Sequence, residues 1–173
     1  MVEVSATLMM YFAYGSNLLA DRFFIHNKGE RIGTGKLMDY SLGFNVPEEF
    51  WAGNVLTIVP SKGEHVMGAV WNVTSDIRIL DEQEVGYFSF PVNIEMDDGR
   101  NISCRTYQLK DLPQNCDHSE NLPSFSYLKA IVKGALESKL PDYYIKYLKN
   151  ITHNGKIAVH MENTLKLHDI QLV

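Results

Sequence analysis

The sequence predicts an α+β fold, a small, mixed, strongly curved β-sheet or barrel flanked by short helices. Three observations carry this expectation. Strand-like segments crowd the first two thirds of the 173 residues. The better amphipathic helices follow them, instead of alternating with strands as a doubly wound parallel sheet requires. The strands are many, short and bounded by turn residues, which suits a sheet that curls on itself.

The elements follow in chain order. "TLMMYFA" (7–13) is an apolar and aromatic run that reads as a buried strand. "NLLADRFFIH" (17–26) reads as a short helix with Asn17 as its cap and Leu18, Arg22 and Ile25 on one face. "GTGKLMDYSLGFNV" (33–46) alternates loosely and makes one or two strands. "NVLTIVP" (54–60) and "HVMGAVWNV" (65–73) are rich in apolar and β-branched residues and read as strands, with "PSKGEH" as the turn between them. The period then changes. "TSDIRILDEQEV" (74–85) has Thr74 or Ser75 as N-cap, Asp76 in the first turn, and Ile77 and Leu80 three apart, which is a helix. "FSFPVNIEM" (88–96) and "RNISCRTYQL" (100–109) form a hairpin through "DDG". "DLPQNCDHSENLPS" (111–124) is a long polar loop. "FSYLKAIVKGALES" (125–138) is an amphipathic helix, and Pro141 opens another in "PDYYIKYLKNI" (141–151). "KIAVHM" fits a strand, and the final residues are expected to fray. The length suits one domain spanning 1–173, with the last twenty or so residues as a loose tail.

Composition narrows the function classes. Lys and Arg number 16 and Asp and Glu 21, a net charge of −5. Without basic runs, such a chain is a poor partner for nucleic acid or an anionic membrane. No apolar run approaches the roughly 20 residues of a spanning helix. The N-terminus lacks the basic start and small-residue cleavage site of a signal peptide. Cys104 and Cys116 are too few for a disulfide scaffold and read as reduced thiols of a cytoplasmic protein, with a bridge between the two as the alternative. No histidines pair at ligand spacing and neither cysteine has a ligand neighbour, so no metal site is expected. "GTG" does not extend to a dinucleotide fingerprint, and no phosphate-binding loop is present.

Two places carry chemistry. On a helical wheel Glu84 falls about 20° from Ile77 and about 40° from Leu80, while Glu82 falls on the opposite side. A carboxylate on the buried face loses hydration and its pKa rises, as a group passing protons near neutral pH requires. The alternative is a helix-end residue beside the core. In "YGSN" (14–17) an apolar run meets small residues at a helix start, where free N–H groups suit an anion. The alternative there is a plain turn with Asn17 as cap. Ser16 lacks the second glycine of a nucleophile elbow. Tyr127 shares a helical stripe with Ile131 and Ala135, the place of a core tyrosine unless its hydroxyl meets a polar site.

Taken together, "YFAYGSNL" and, some sixty residues on, "LDEQE" resemble the gamma-glutamylcyclotransferase family of the AIG2-like superfamily. "VMGAVWNVT", "ISCRTY" and "PSFSYLKAIVKGALESKLP" are similar to further family stretches, over roughly residues 9–150. The resemblance implies a small mixed barrel, often a homodimer, with no cofactor. It implies an enzyme of glutathione metabolism that converts a small γ-glutamyl substrate to 5-oxoproline. It makes Glu84 the catalytic carboxylate, Tyr14, Gly15, Ser16, Asn17 and Leu18 the substrate-binding loop, and Tyr127 a tyrosine that reaches the site. The chain departs from the family in four places, one of them a shorter linker after the glutamate. Val85 precedes Gly86 after the glutamate. Ser89 or Phe90 stands where a tyrosine is expected, with Tyr87 nearby. Gly53 stands alone where a glycine pair is usual. The alternatives are a related cyclotransferase acting on γ-glutamyl amines or glutathione, and a silent homologue that binds a γ-glutamyl metabolite.

Overall fold

The computed structural model describes residues 9–110 and 121–173. Residues 7–8 of the first expected strand, most of the polar loop and Cys116 lie outside the described residues. Among those described, five strands close into a barrel in the order β1-β3-β2-β4-β5. β2 (Gly29–Glu48) and β3 (Gly53–Val73) form a long antiparallel hairpin running from Gly29↔Val73 to Glu48↔Gly53. β4 (Tyr87–Met96) and β5 (Asn101–Leu109) form the second hairpin, its turn closed by Gly99 N–H donating to Met96 C=O at 2.9 Å. β1 (Met9–Ala13) seals the barrel, antiparallel to β3 and parallel to β5 at Tyr11↔Arg105. That parallel pairing makes the sheet mixed, as the expected fold class has it.

The sequence breaks the long hairpin where the structure does not. "PSKGEH" is no chain reversal. The register steps from Met38↔His65 to Tyr40↔Pro60, so residues 61–64 bulge out of the ladder opposite Asp39. Asp39 takes a φ of 67° there, and its Oδ1 accepts the Gly63 N–H at 2.9 Å. A bulge bends a strand and strengthens its twist. The polar and glycine residues that resemble a turn therefore sit at a bend inside one continuous strand.

Along β1 the side chains alternate. Tyr11 and Ala13 join a cluster with Phe23, Trp71, Leu80 and Tyr107, while Phe12 joins the main core with Leu18, Ile58, Leu128 and Ile131. After β1 come a 3₁₀ turn (Ser16–Leu18) and α1 (Ala20–Phe23). α2 (Ile77–Gln83) is capped by Asp76, whose carboxylate accepts the Arg78 N–H. Neither Thr74 nor Ser75 caps it. Thr74 N–H donates to Lys28 C=O at 2.9 Å, and Ser75 Oγ accepts the Lys28 N–H at 3.0 Å. α3 (Phe125–Glu137) starts at Ser124, which accepts the Tyr127 N–H, and α4 (Asp142–Lys149) follows Pro141.

"KIAVHM" feeds a helix, α5 (Val159–Leu165), not a strand. The barrel is closed, so its ladder offers this segment no edge. α5 is tied to α3 instead. Lys129 Nζ lies 2.6 Å from the Glu162 carboxylate, and Ser126 Oγ donates to that carboxylate at 2.8 Å. Both charged groups are buried, as are Leu165, Leu167 and Leu172 beyond them.

Candidate active site

The loop 14–17 is held from several sides. Tyr14 is buried and its hydroxyl donates to Tyr107 C=O at 2.6 Å. Trp71 Nε1 donates to Asn17 C=O at 3.0 Å, and Arg31 Nη2 and Ser138 Oγ donate to Leu18 C=O at 2.7 and 3.2 Å. α3 presses against the turn at Gly134, where an added Cβ would stand 2.5 Å from Leu19 N and 2.7 Å from the Leu18 carbonyl carbon. No larger residue permits that approach without movement. Tyr127 lies seven residues earlier, on the same stripe of α3. The helix thus braces the loop with Gly134 and offers the Tyr127 hydroxyl beside it. A Cβ on Gly15 would come 3.3 Å from Tyr127 Oη.

Inside the turn, Leu18 N–H donates to Gly15 C=O at 3.0 Å and Leu19 N–H to Ser16 C=O at 3.1 Å. The N–H groups of Gly15, Ser16 and Asn17 have no acceptor among the described residues. Asn17 does not cap a helix. It sits inside the 3₁₀ turn, its Nδ2 donates to Tyr11 Oη at 3.3 Å, and its Oδ1 is buried without a partner among the described residues. The expected face of Leu18, Arg22 and Ile25 does not hold either. Leu18, Leu19 and Phe23 are buried while Ile25 is exposed. A 3₁₀ turn followed by a single α-turn does not keep the 100° step on which that face was counted.

A cavity of about 280 Å³ opens above this turn. Tyr14, Gly15, Ser16, Asn17, Glu84 and Tyr127 all line it. Leu18 does not: it is fully buried beneath the loop and its N–H is already used. The remaining wall comes from Glu48 at the end of β2, Leu56 in β3 and Trp51 in the 3₁₀ turn between them, and from Tyr11, Arg22, Gln83, Tyr87 and Tyr107. No group of three His, Cys, Asp or Glu among the described residues is placed to hold a metal ion.

Glu84 closes α2 from the C-cap position. Its carboxylate faces the cavity, partly accessible through it, and accepts no hydrogen bond among the described residues. Burial pushes its pKa from 4.5 to about 7, with the Arg22 charge partly opposing the rise. Burial also raises the Tyr11, Tyr14, Tyr87, Tyr107 and Tyr127 hydroxyls well above the ordinary phenol value, so all five stay protonated. Tyr127 Oη accepts the Leu56 N–H at 3.1 Å, which leaves its own proton free for the cavity. Tyr87 donates to the Leu56 C=O at 2.7 Å. At the family departures, Val85 stands exposed at the cavity mouth and Tyr87 lines the wall, while Ser89 and Phe90 lie elsewhere.

Sequence reasoning missed Arg22 as a site residue. The available signal was a cation on a helix face otherwise read as apolar. Nothing local marks Tyr11, Tyr107 or Glu48, because strand pairing brings them to the cavity from distant parts of the chain.

The closed mixed barrel is an architecture that known proteins share. Residues 65–148 match the sequence model of the AIG2-like family. A gamma-glutamylcyclotransferase of Bos taurus is 35% identical over 170 residues, covering 91% of this chain and 87% of that protein. The gamma-glutamylcyclotransferase of Homo sapiens is 33% identical over 175 residues, covering 94% and 90%. A solved structure titled gamma-glutamyl cyclotransferase superposes with a TM-score of 0.81 at 33% identity, covering 91% of this chain and 98% of that one. The chain belongs to the gamma-glutamylcyclotransferase family.

Proposed function

We propose that this protein is a gamma-glutamylcyclotransferase that converts γ-glutamyl amino acids to 5-oxoproline and a free amino acid. The observation that carries the reading is the meeting, in one small cavity, of a carboxylate of raised pKa, the open N–H groups of residues 15–17 and the Tyr127 hydroxyl. The α-amine attacks the γ-carbonyl of its own chain, a five-membered lactam closes, and the second amino acid leaves.

Glu84 acts first as base and then as acid. Its basicity decides how costly the first step is. Whatever the basicity of the α-amine, transfer to a carboxylate at about 7 is less uphill than transfer to an ordinary glutamate by about 3 kcal/mol. The protonated Glu84 then returns the proton to the departing nitrogen. The loop N–H groups receive the carbonyl oxygen as negative charge develops on it, or the α-carboxylate. Tyr127 orients the substrate through its hydroxyl. Holding the flexible glutamyl chain folded matters as much, since orientation can supply up to roughly 7–11 kcal/mol in intramolecular reactions.

The proposal takes the chain as one gamma-glutamylcyclotransferase-like domain over 1–173, cytoplasmic, homodimeric and part of glutathione metabolism, without bound nucleic acid. The test is 5-oxoproline release by purified protein from γ-glutamyl-alanine, γ-glutamyl-lysine linked through its side chain, and glutathione, with Glu84→Gln beside wild type. Release from γ-glutamyl-alanine that Glu84→Gln abolishes supports the reading. Release only from glutathione or the lysine derivative moves the protein to a neighbouring specificity. Binding of these compounds by folded wild type without any release replaces the enzyme with a binding protein.

A further inference from the structure

Arg22 is poorly satisfied for a partly buried cation. Its Nε is shielded from solvent and has no hydrogen-bond partner, and its guanidinium forms no ion pair among the described residues. Arg31 makes a useful comparison. Its Nε is likewise unpartnered, but its Nη2 donates to Leu18 C=O and to the Glu137 carboxylate. Among the described residues Arg22 has neither kind of partner, and it lines the cavity. A buried donor without an acceptor costs free energy, more so when it is charged. A site whose ligand brings the acceptor recovers that cost on binding.

Arg22 therefore calls for an anion, and the planar fork of a guanidinium fits a carboxylate with two parallel hydrogen bonds. A γ-glutamyl amino acid offers two carboxylates. One stands on the α-carbon beside the attacking amine, and the other belongs to the departing amino acid. The amine must reach Glu84, and Glu84 and Arg22 are close enough for each charge to act on the other. The α-carboxylate is attached to the same carbon as the amine, so it is the one that arrives next to Arg22. We propose that Arg22 binds the α-carboxylate of the γ-glutamyl group and selects substrates that carry it, leaving the N–H groups of residues 15–17 for the γ-carbonyl oxygen. This inference rests on the cyclotransferase reading above.

The test compares γ-glutamyl-alanine with 4-aminobutyryl-alanine, in which hydrogen replaces the α-carboxylate. The second compound undergoes the same closure, since its amine attacks the carbonyl, 2-pyrrolidinone forms and alanine leaves. Arg22→Gln is expected to lower kcat/KM for γ-glutamyl-alanine on the order of 10- to 100-fold, chiefly through KM, the loss of a charge-assisted hydrogen-bond pair. For 4-aminobutyryl-alanine, compared on the high-pH plateau where Glu84 is ionised in both proteins, the loss should be at least about tenfold smaller, because there is no carboxylate to lose. Arg22→Lys keeps the charge without the fork and should recover only part of the loss. It also replaces Arg22→Gln in the comparison if the glutamine variant unfolds well below the wild-type temperature.

Equal losses on both compounds would overturn the assignment, since Arg22 would then act through Glu84 or the fold. A loss that disappears with γ-glutamyl-alaninamide would also overturn it, giving Arg22 to the departing amino acid. If wild type releases 5-oxoproline from nothing, the cyclotransferase reading fails by itself. Calorimetric binding of γ-glutamyl-alanine then decides on Arg22, with at least about tenfold weaker binding by Arg22→Gln in support and equal binding against.

Discussion

Replacing Glu84 with glutamine should stabilise the protein at pH 8 relative to wild type, by an amount absent at pH 4. Burial holds the native carboxyl at about 7 against an ordinary 4.5. The difference of about 2.5, at about 1.4 kcal/mol per unit, corresponds to about 3 kcal/mol. Below the ordinary value both the native and the unfolded chain hold this proton, and the ionisation of Glu84 contributes nothing to stability. As pH rises past about 4.5 the unfolded chain releases it first, so the native state binds more protons and stability falls. The fall ends above about 7, where both states are ionised and the whole cost is present. Glutamine has nearly the same shape and no such titration. Urea unfolding of the two proteins, followed by tryptophan fluorescence at several pH values between about 4 and 8.5, gives the gap directly. A gap that stays constant across this range would refute the claim that Glu84 is held protonated by burial.

Three further outcomes follow from the same geometry. The kcat/KM for 5-oxoproline release should rise with pH through about 7 as Glu84 ionises, and Arg22→Gln should move that limb upward because the Arg22 charge now holds it down; a pH–rate series checks both. Tyr127→Phe should lower 5-oxoproline release and cost about 1–3 kcal/mol in urea unfolding, since the Leu56 N–H loses its acceptor in the interior. Gly134→Ala should cost about 1–3 kcal/mol by forcing α3 away from Leu18 and Leu19, and should raise KM through the displaced loop, as thermal unfolding and steady-state kinetics would register.

The parts of the fold legible in the sequence are those set by local pattern. The "DDG" hairpin, the amphipathic α3 and the helix bearing Leu80 appear where residue spacing puts them, because periodicity and turn chemistry act over a few residues. The long β2–β3 hairpin was not legible as such. Its bulge uses the same glycine and polar residues as a true turn, and only pairing with a strand some twenty residues away distinguishes the two. Glu84 was legible as a cavity-facing carboxylate because the wheel ties it to Ile77 and Leu80, even though it ends the helix instead of lying inside it. Asn17 and Leu18 were misread in detail, since the 3₁₀ turn spends the Leu18 N–H internally and turns Asn17 toward Tyr11. Arg22 shows the limit most plainly. Its meaning depends on the absence of an ion-pair partner among the described residues, and that depends on every element around it.

The charges in the cavity also make a prediction about bound states. With the five phenols neutral, Glu84 shares the wall with the Arg22 cation and the Glu48 carboxylate. In the free protein the Arg22 charge lowers the Glu84 pKa. A bound γ-glutamyl group changes this balance in two opposite ways. Its ammonium, arriving at Glu84, favours the ionised carboxylate, while its α-carboxylate on Arg22 neutralises the charge that had favoured it. A substrate without the α-carboxylate brings the ammonium alone and leaves Arg22 uncovered. The acid limb of kcat, which reports the substrate-bound protein, should therefore lie at lower pH with 4-aminobutyryl-alanine than with γ-glutamyl-alanine. In Arg22→Gln both limbs should lie at higher pH, because the cation that favours the ionised carboxylate is gone. Limbs that coincide for the two substrates in wild type would mean that the α-carboxylate does not reach Arg22, whatever the effect of the substitution on rate.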